Sequence, residues 1–201
     1  MSLVSNLFLL FVAVSVFVYY IVPHKLQWLV LLCFSYIYYL AGGVRYVGFI
    51  LFSTLVTWGI ALAVEKTEAG GSHKGARNLL VLGLILNFGM LGVVKYTNFA
   101  IENLNALFHM NLRGMEILLP LGISFYTFQS SGYLLDVYWK RCEAEKNPVK
   151  YALFVSFFPQ ILQGPIGRYS RLAHQLYEPH KFEGKNIARG FERILWGFFK
   201  K

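Results

Sequence analysis

The sequence predicts an all-α fold: a polytopic bundle of transmembrane helices with a broken or re-entrant helix near Pro159. Three observations carry that expectation. Apolar residues make up 56 % of the 201 residues and charged residues only 14 %, where an average soluble domain has about 25 % charged. The apolar residues gather in runs close to the about 20 residues that a helix needs to cross hydrocarbon. The Lys and Arg residues behind the net charge of +9 lie almost entirely between those runs. The composition excludes a disordered chain and a soluble globular domain. Two cysteines exclude a disulfide framework and a cysteine-rich zinc module. The placement of the basic residues points to anionic lipid headgroups and argues against nucleic acid.

The first span is Asn6 to Val22. It has no basic leader, and Tyr19-Tyr20-Ile21-Val22-Pro23 lacks a small-residue cleavage site, so it reads as a retained span. Gln27 to Ala41 is the second, stopped by Gly42-Gly43, and Val44 to Val64 is the third. Asn78 to Val94 follows, ended by Lys95, and Ile117 to Val137 is the fifth. Each is expected to be helical, because lipid offers no partner to an unpaired amide. Val149 to Gln163 is too short to cross and holds Pro159, which removes a helix bond and clashes with the preceding turn. It reads as broken or re-entrant. Tyr169, Leu172 and Leu176 mark a short amphipathic helix, expected to lie in the inner interface. From Asn186, the residues Ile187, Phe191, Ile194, Leu195 and Phe198 recur at helical spacing with no closing signal before Lys201. Residues 1–201 therefore read as one membrane-embedded module, the N-terminal part of a longer domain.

Charge sets the expected orientation. With the N-terminus outside, the inner loops hold Lys25, Lys66, Lys74, Arg77, Lys140, Arg141, Lys146 and Lys150. The outer loops then hold only Arg45, Lys95 and Arg113. The basic excess is inner, so the N-terminus is placed outside a cytoplasmic membrane.

Polar residues at membrane depth are the candidates for function. Tyr126, Gln129, Tyr133 and Asp136 share one face of the fifth span, and Ser156, Gln160 and Gln163 form a second stripe on the broken segment. Two such stripes either line a hydrated tunnel or bond each other and hold helices together. Asp136 lies near the helix end, at headgroup level on the second reading. His24, His73, His109, His174 and His180 all fall outside the apolar runs and read as surface residues. There is no Gly-x-Ser-x-Gly elbow, no metal-ligand spacing and no phosphate-binding glycine loop. A transporter subunit or a non-enzymatic scaffold would use the same polar seam.

The stretch from Leu119 to Arg168 carries a resemblance. It reads Leu-Pro-Leu-Gly-Ile-Ser-Phe-Tyr-Thr-Phe-Gln-Ser from Leu119, then Tyr133-Leu-Leu-Asp136-Val-Tyr138 and Phe154-Val-Ser-Phe-Phe-Pro159-Gln160, then Gly164-Pro165-Ile166 and Arg168. This closely resembles the membrane-bound O-acyltransferase family, in the branch that O-acetylates alginate and transfers D-alanine to teichoic acids. Arg193 to Lys201 looks like the start of the family's next helix. The resemblance implies transfer of an acyl group, acetyl by the branch, to hydroxyls of a cell-envelope polysaccharide or teichoic acid. It implies a thioester donor, acetyl-CoA or an acyl carrier protein, as substrate and no resident cofactor. The implied partners are membrane lipids, the acceptor polymer, and either a periplasmic or extracellular transferase or an acyl carrier protein. Gln129, Asp136, Tyr138, Pro159, Gln160, Gly164, Pro165 and Arg168 match family positions in the tunnel-forming half. The family's membrane-embedded histidine lies after the helix that starts at Arg193, and none of the five histidines here stands in that context.

Overall fold

A computed structural model describes residues 6–108, 113–114, 120–164 and 166–200, all of them in helices and the connections between helices. The helices are α1 (Asn6–Ile21), α2 (Gln27–Gly42), α3 (Val44–Ala69), α4 (His73–Phe108), α5 (Ile123–Tyr138), α6 (Pro148–Ser156), α7 (Phe158–Gln163), α8 (Tyr169–Tyr177) and α9 (Gly184–Phe199). Each expected span is thus a helix, and the fold is an all-α membrane bundle. Among the described residues, α3 and α4 are each long and apolar enough to cross a membrane unaided. The helices α1, α2 and α5 have 16 residues each, about 24 Å at the helical rise.

Local chemistry sets the boundaries. A 3₁₀ turn at His24–Leu26 joins α1 to α2 after Pro23. Asn147 caps α6: its side-chain oxygen accepts the Val149 and Lys150 amides at 2.9 and 3.4 Å, with Pro148 in the first turn. Gly122 precedes α5 at φ 71°, where a side chain is strained. A Cβ there would also lie 2.2 Å from the Ile161 Cγ2, so only glycine lets α7 approach.

Four boundaries differ from the sequence reading: the fourth helix starts at His73, before Asn78, and the fifth at Ile123, residues 120–122 being a turn and not helix. The third helix runs on to Ala69 and the fourth to Phe108, past Lys95. Lysine ends an apolar run, and it does not end a helix. Thr97 and Asn103 also bond back to the Val93 and Phe99 carbonyls, inside the extension. The start of the fifth span, Ile117 to Leu119, lies outside the described residues.

The middle of the bundle is α5. It packs on α3, α4 and α6, and Ile123, Tyr126, Tyr133, Leu134 and Val137 lie within the buried core. The ends of α3 and α5 meet at one pole, the side on which α1 also ends. There Lys140 pairs with Glu68 at 3.3 Å and the Ala144 amide donates to Glu65 at 2.8 Å. Gln27, at the start of α2, exchanges two hydrogen bonds with the His180 backbone, 2.9 and 3.0 Å long. This pole carries the eight basic loop residues named above as inner.

The amphipathic α8 exists, but its apolar side is buried in protein. Tyr169, Ala173 and Leu176 are buried, and the helix packs on α6. Hydroxyl bonds pin it there: Tyr169 donates to Glu145 at 2.7 Å and Tyr177 to the Lys150 carbonyl at 2.6 Å. By contrast, Phe191, Ile194 and Leu195 on α9 are exposed.

Candidate functional site

The broken segment is built from two short helices. At Ser156 α6 ends, Phe157 takes φ −53° and ψ 106°, and α7 starts at Phe158 with Pro159 in its first turn. Proline is tolerated there because a first-turn amide has no helical partner. The segment leaves the basic pole at Lys150 and is back at that pole by Tyr169, where the Tyr177 and Tyr169 bonds hold it. It is re-entrant in geometry. The turnaround wraps Gln160: a Cβ on Gly167 would lie 2.6 Å from the Gln160 side-chain nitrogen.

Two side chains from other helices meet the break. Gln129 on α5 donates from Nε2 to the Phe154 carbonyl at 2.8 Å. Ser35, midway along α2, accepts the Phe158 amide at 3.2 Å and donates to the Leu31 carbonyl at 2.7 Å.

Helices α2, α5 and α6 carry a set of buried hydroxyls, on more than one face of α5. Tyr39, Tyr126, Thr127, Ser130, Ser131, Tyr151 and Ser156 are all buried, and none of these hydroxyls has a hydrogen bond of normal geometry. The Tyr126 hydroxyl has the Tyr39 hydroxyl as a neighbour, and Tyr151 has Ser130 and Thr57. Native interiors rarely leave so many buried polar groups unpaired, and the usual reason is a bound water, ion or ligand. The arrangement can hold water or a hydroxylated ligand between α2, α5 and α6.

The first expected stripe therefore divides. Tyr126 belongs to the open seam. Gln129 ties α5 to α6. Tyr133 accepts the Glu145 amide at 2.8 Å. Asp136 is buried at the basic pole, 3.5 Å from the Arg141 guanidinium, with Arg141 stacked over Trp139 at 4.6 Å. In the second stripe Ser156 and Gln160 are buried; the Gln163 side chain and Pro165 lie outside the described residues. Tyr138 and Gly164 are half-buried, and Pro159 and Arg168 are exposed. Sequence reading missed Ser35, Tyr39, Thr127, Ser130, Ser131 and Tyr151. Small hydroxyls inside an apolar run carry no period of their own, although each was a polar atom at membrane depth.

The histidines stay away from the seam. His24, His73, His174 and His180 are exposed, and His109 lies outside the described residues. His73 pairs with Glu68 at 2.7 Å and His174 with Glu178 at 3.2 Å.

An open cleft of about 740 Å³ sits at the basic pole, lined in part by Arg141, Cys142, Glu145, Lys146, Tyr169 and Tyr177. Burial, helped by the Asp136 and Glu65 carboxylates, pushes the Cys142 thiol up to about 11. Burial also raises the Tyr169 phenol, with Tyr177 and then its bond to Glu145 adding to the shift. Glu145 is a hub: besides Tyr133 and Tyr169, its carbonyl accepts the Trp58 indole at 2.8 Å.

Comparison with known proteins identifies the class. No family model and no solved structure matches the chain. It is 35 % identical over 205 residues to the protein named "Probable alginate O-acetylase AlgI" of Azotobacter vinelandii, covering 98 % of this chain and 40 % of the relative. It is 32 % identical over 200 residues to the "Peptidoglycan O-acetyltransferase" of Helicobacter pylori, covering 87 % and 37 %. It is 25 % identical over 162 residues to the "Teichoic acid D-alanyltransferase" of Lacticaseibacillus rhamnosus, covering 79 % and 36 %. The chain belongs to the membrane-bound O-acyltransferase family. It spans about two-fifths of the length of these relatives.

Proposed function

We propose that this chain forms part of a membrane O-acyltransferase that moves an acyl group, acetyl by its relatives, to hydroxyls of a cell-surface polymer. The observation that carries the reading is the match of 98 % of the chain to an alginate O-acetylase. The open hydroxyl seam supports it, because an acceptor hydroxyl needs polar lining inside a dry bundle. The donor is a thioester, acetyl-CoA or an acyl carrier protein. The acceptor is alginate-like polysaccharide, peptidoglycan or teichoic acid, the polymers in the relatives' names.

In that reaction a base takes the proton of the acceptor hydroxyl. The oxygen attacks the thioester carbonyl, the tetrahedral oxyanion collapses, and the thiol leaves with a proton. The base is assigned to the family's membrane-embedded histidine, in the part of the relatives that this chain does not span. The residues present here shape and wet the path, and the buried setting keeps bulk water from hydrolysing the thioester.

The protein is placed in the cytoplasmic membrane with its N-terminus outside. The convergence of eight basic residues at the pole where α3 and α5 end, the side on which α1 also ends, supports that orientation. Donor access is then from the basic pole and acceptor access from the other.

The test is acetate released from envelope polymer by mild base, in cells with the intact gene and with its deletion. Equal acetate in both overturns the reading. In the intact protein, Asp136→Ala and Gln160→Ala are each expected to cut transfer at least about ten-fold. Unchanged transfer at normal expression would remove those two residues from the path.

A further inference from the structure

Breaking a helix inside a membrane exposes backbone groups where no water can meet them. The last carbonyls of α6 lose their intrahelical donors, and the first amides of α7 have none. Such breaks persist only where the protein itself supplies partners. Here two side chains do so, one on each side of the break and each from a different helix. Gln129 donates to the Phe154 carbonyl at 2.8 Å, and Ser35 accepts the Phe158 amide at 3.2 Å.

We infer that Ser35 and Gln129 are positioning residues that clamp the α6–α7 break against α2 and α5, and so set the place of Ser156 and Gln160 beside the hydroxyl seam. Three observations carry it. Both clamp residues are buried, Ser35 fully and Gln129 to 3 % exposure. Each uses the correct half of its chemistry: a donor meets the orphaned carbonyl and an acceptor meets the orphaned amide. The Ser35 hydroxyl also donates its proton to the Leu31 carbonyl at 2.7 Å, which turns its lone pairs toward Phe158. Ser156 and Gln160, four residues apart across the break, are both buried beside this clamp. Ser35 lies 84 residues before Leu119, where the motif that carries the family resemblance starts, and no feature of the sequence singles it out.

The inference rests on the O-acyltransferase reading for its catalytic consequence and on the bonds alone for its structural one. The test uses the full-length protein in lipid nanodiscs, with hydrogen exchange of residues 154–162 measured beside acyl transfer. Ser35→Ala removes one atom and both of its bonds. It is expected to speed exchange at 154–162 about ten-fold, leave α3 and α4 protected, and lower kcat about ten-fold at constant KM. Ser35→Thr keeps the hydroxyl and is expected to restore both. Gln129→Glu, which loses the donor when ionised, is expected to be worse than Gln129→Met.

Unchanged exchange at 154–162 in Ser35→Ala overturns the clamp. So does an equal rise across the whole bundle, or a kcat that Ser35→Thr does not restore when Ser35→Ala has lowered it. If the unaltered protein transfers no acyl group, the functional reading fails, and the exchange comparison still decides the clamp.

Discussion

Two buried polar clusters lie in the same membrane bundle and adjoin at Thr57, and one is closed while the other is open. Between α3 and α4, Ser53 donates to the Asn87 side-chain oxygen at 2.7 Å. The Asn87 amide nitrogen donates to Thr57 at 2.9 Å and to the Gly83 carbonyl at 3.0 Å. On α2, α5 and α6, seven buried hydroxyls stand without a bond of normal geometry. Both clusters are buried, and both consist of ordinary polar residues. The difference teaches which one to read as structure. A cluster whose donors and acceptors cancel internally glues helices. One whose polar atoms remain uncancelled is shaped for something else to enter.

The comparison breaks most severely at Gly122, which fixes the distance between α5 and α7. Gly122→Ala forces a left-handed φ on a residue with a Cβ and drives that Cβ into Ile161. Left-handed strain of about 1–2 kcal/mol and overpacking of about 1–3 kcal/mol act together, so a loss of about 3 kcal/mol is expected. Unfolding in a denaturing-detergent titration measures it. Near-neutral behaviour would mean that α7 is free to move away from α5.

Next in size is the closed cluster. Asn87→Leu removes three bonds, and buried side-chain bonds in membrane proteins average about 0.6 kcal/mol each. A loss of about 2 kcal/mol is expected in the same titration, with no change in transfer per folded molecule. A specific loss of transfer would make the Asn87 cluster part of the site and erase the contrast between the two clusters.

The open cluster predicts the opposite pair of results. Tyr126→Phe deletes a hydroxyl whose one polar contact, to the Tyr39 hydroxyl, falls short of a bond of normal geometry, so stability is expected to hold within about 0.5 kcal/mol. Transfer is expected to fall about ten-fold, because the seam loses a polar contact to what it holds. A stability loss without a transfer loss would assign Tyr126 to gluing helices.

How much of this was legible differs by residue. The apolar runs located every bundle helix, since backbone satisfaction in lipid leaves little else possible. The ends were harder. Lys95 marks where hydrophobicity stops, while α4 continues on helix propensity to Phe108. Pro159 announced the broken segment, but the break itself falls at Phe157, two residues earlier, because proline suits the first turn of a new helix. Gln129 and Tyr133 stood out as polar at depth, but spacing cannot show whether such a group ties helices or faces a cavity. Asn87 carries the same signal, an amide inside the Asn78–Val94 run, and its bonds place it in the closed cluster. The stripe argument also assumes one buried face. Helix α5 is buried on most sides, so Thr127, Ser130 and Ser131, which lie off the Tyr126 stripe, are as buried as Tyr126 itself.

The smallest effect sharpens the comparison from outside both clusters, at Cys142. This thiol lines the cleft at the basic pole, and burial with the Asp136 and Glu65 carboxylates raises it to about 11. An ordinary thiol titrates near about 8.5, and only the thiolate alkylates. Iodoacetamide is therefore expected to react at pH 8 at least about ten-fold more slowly than with a free cysteine, the rate rising up to about pH 11. Because the folded state holds this proton to higher pH than the unfolded state, its contribution to stability is present below about pH 8.5 and lost as pH rises toward 11. Asp136→Asn removes one of the two carboxylates and is expected to move the alkylation profile to lower pH. A profile that stays in place would leave burial and Glu65 as the causes. It would also show that Arg141, 3.5 Å from Asp136, already neutralises that carboxylate as seen from the cleft.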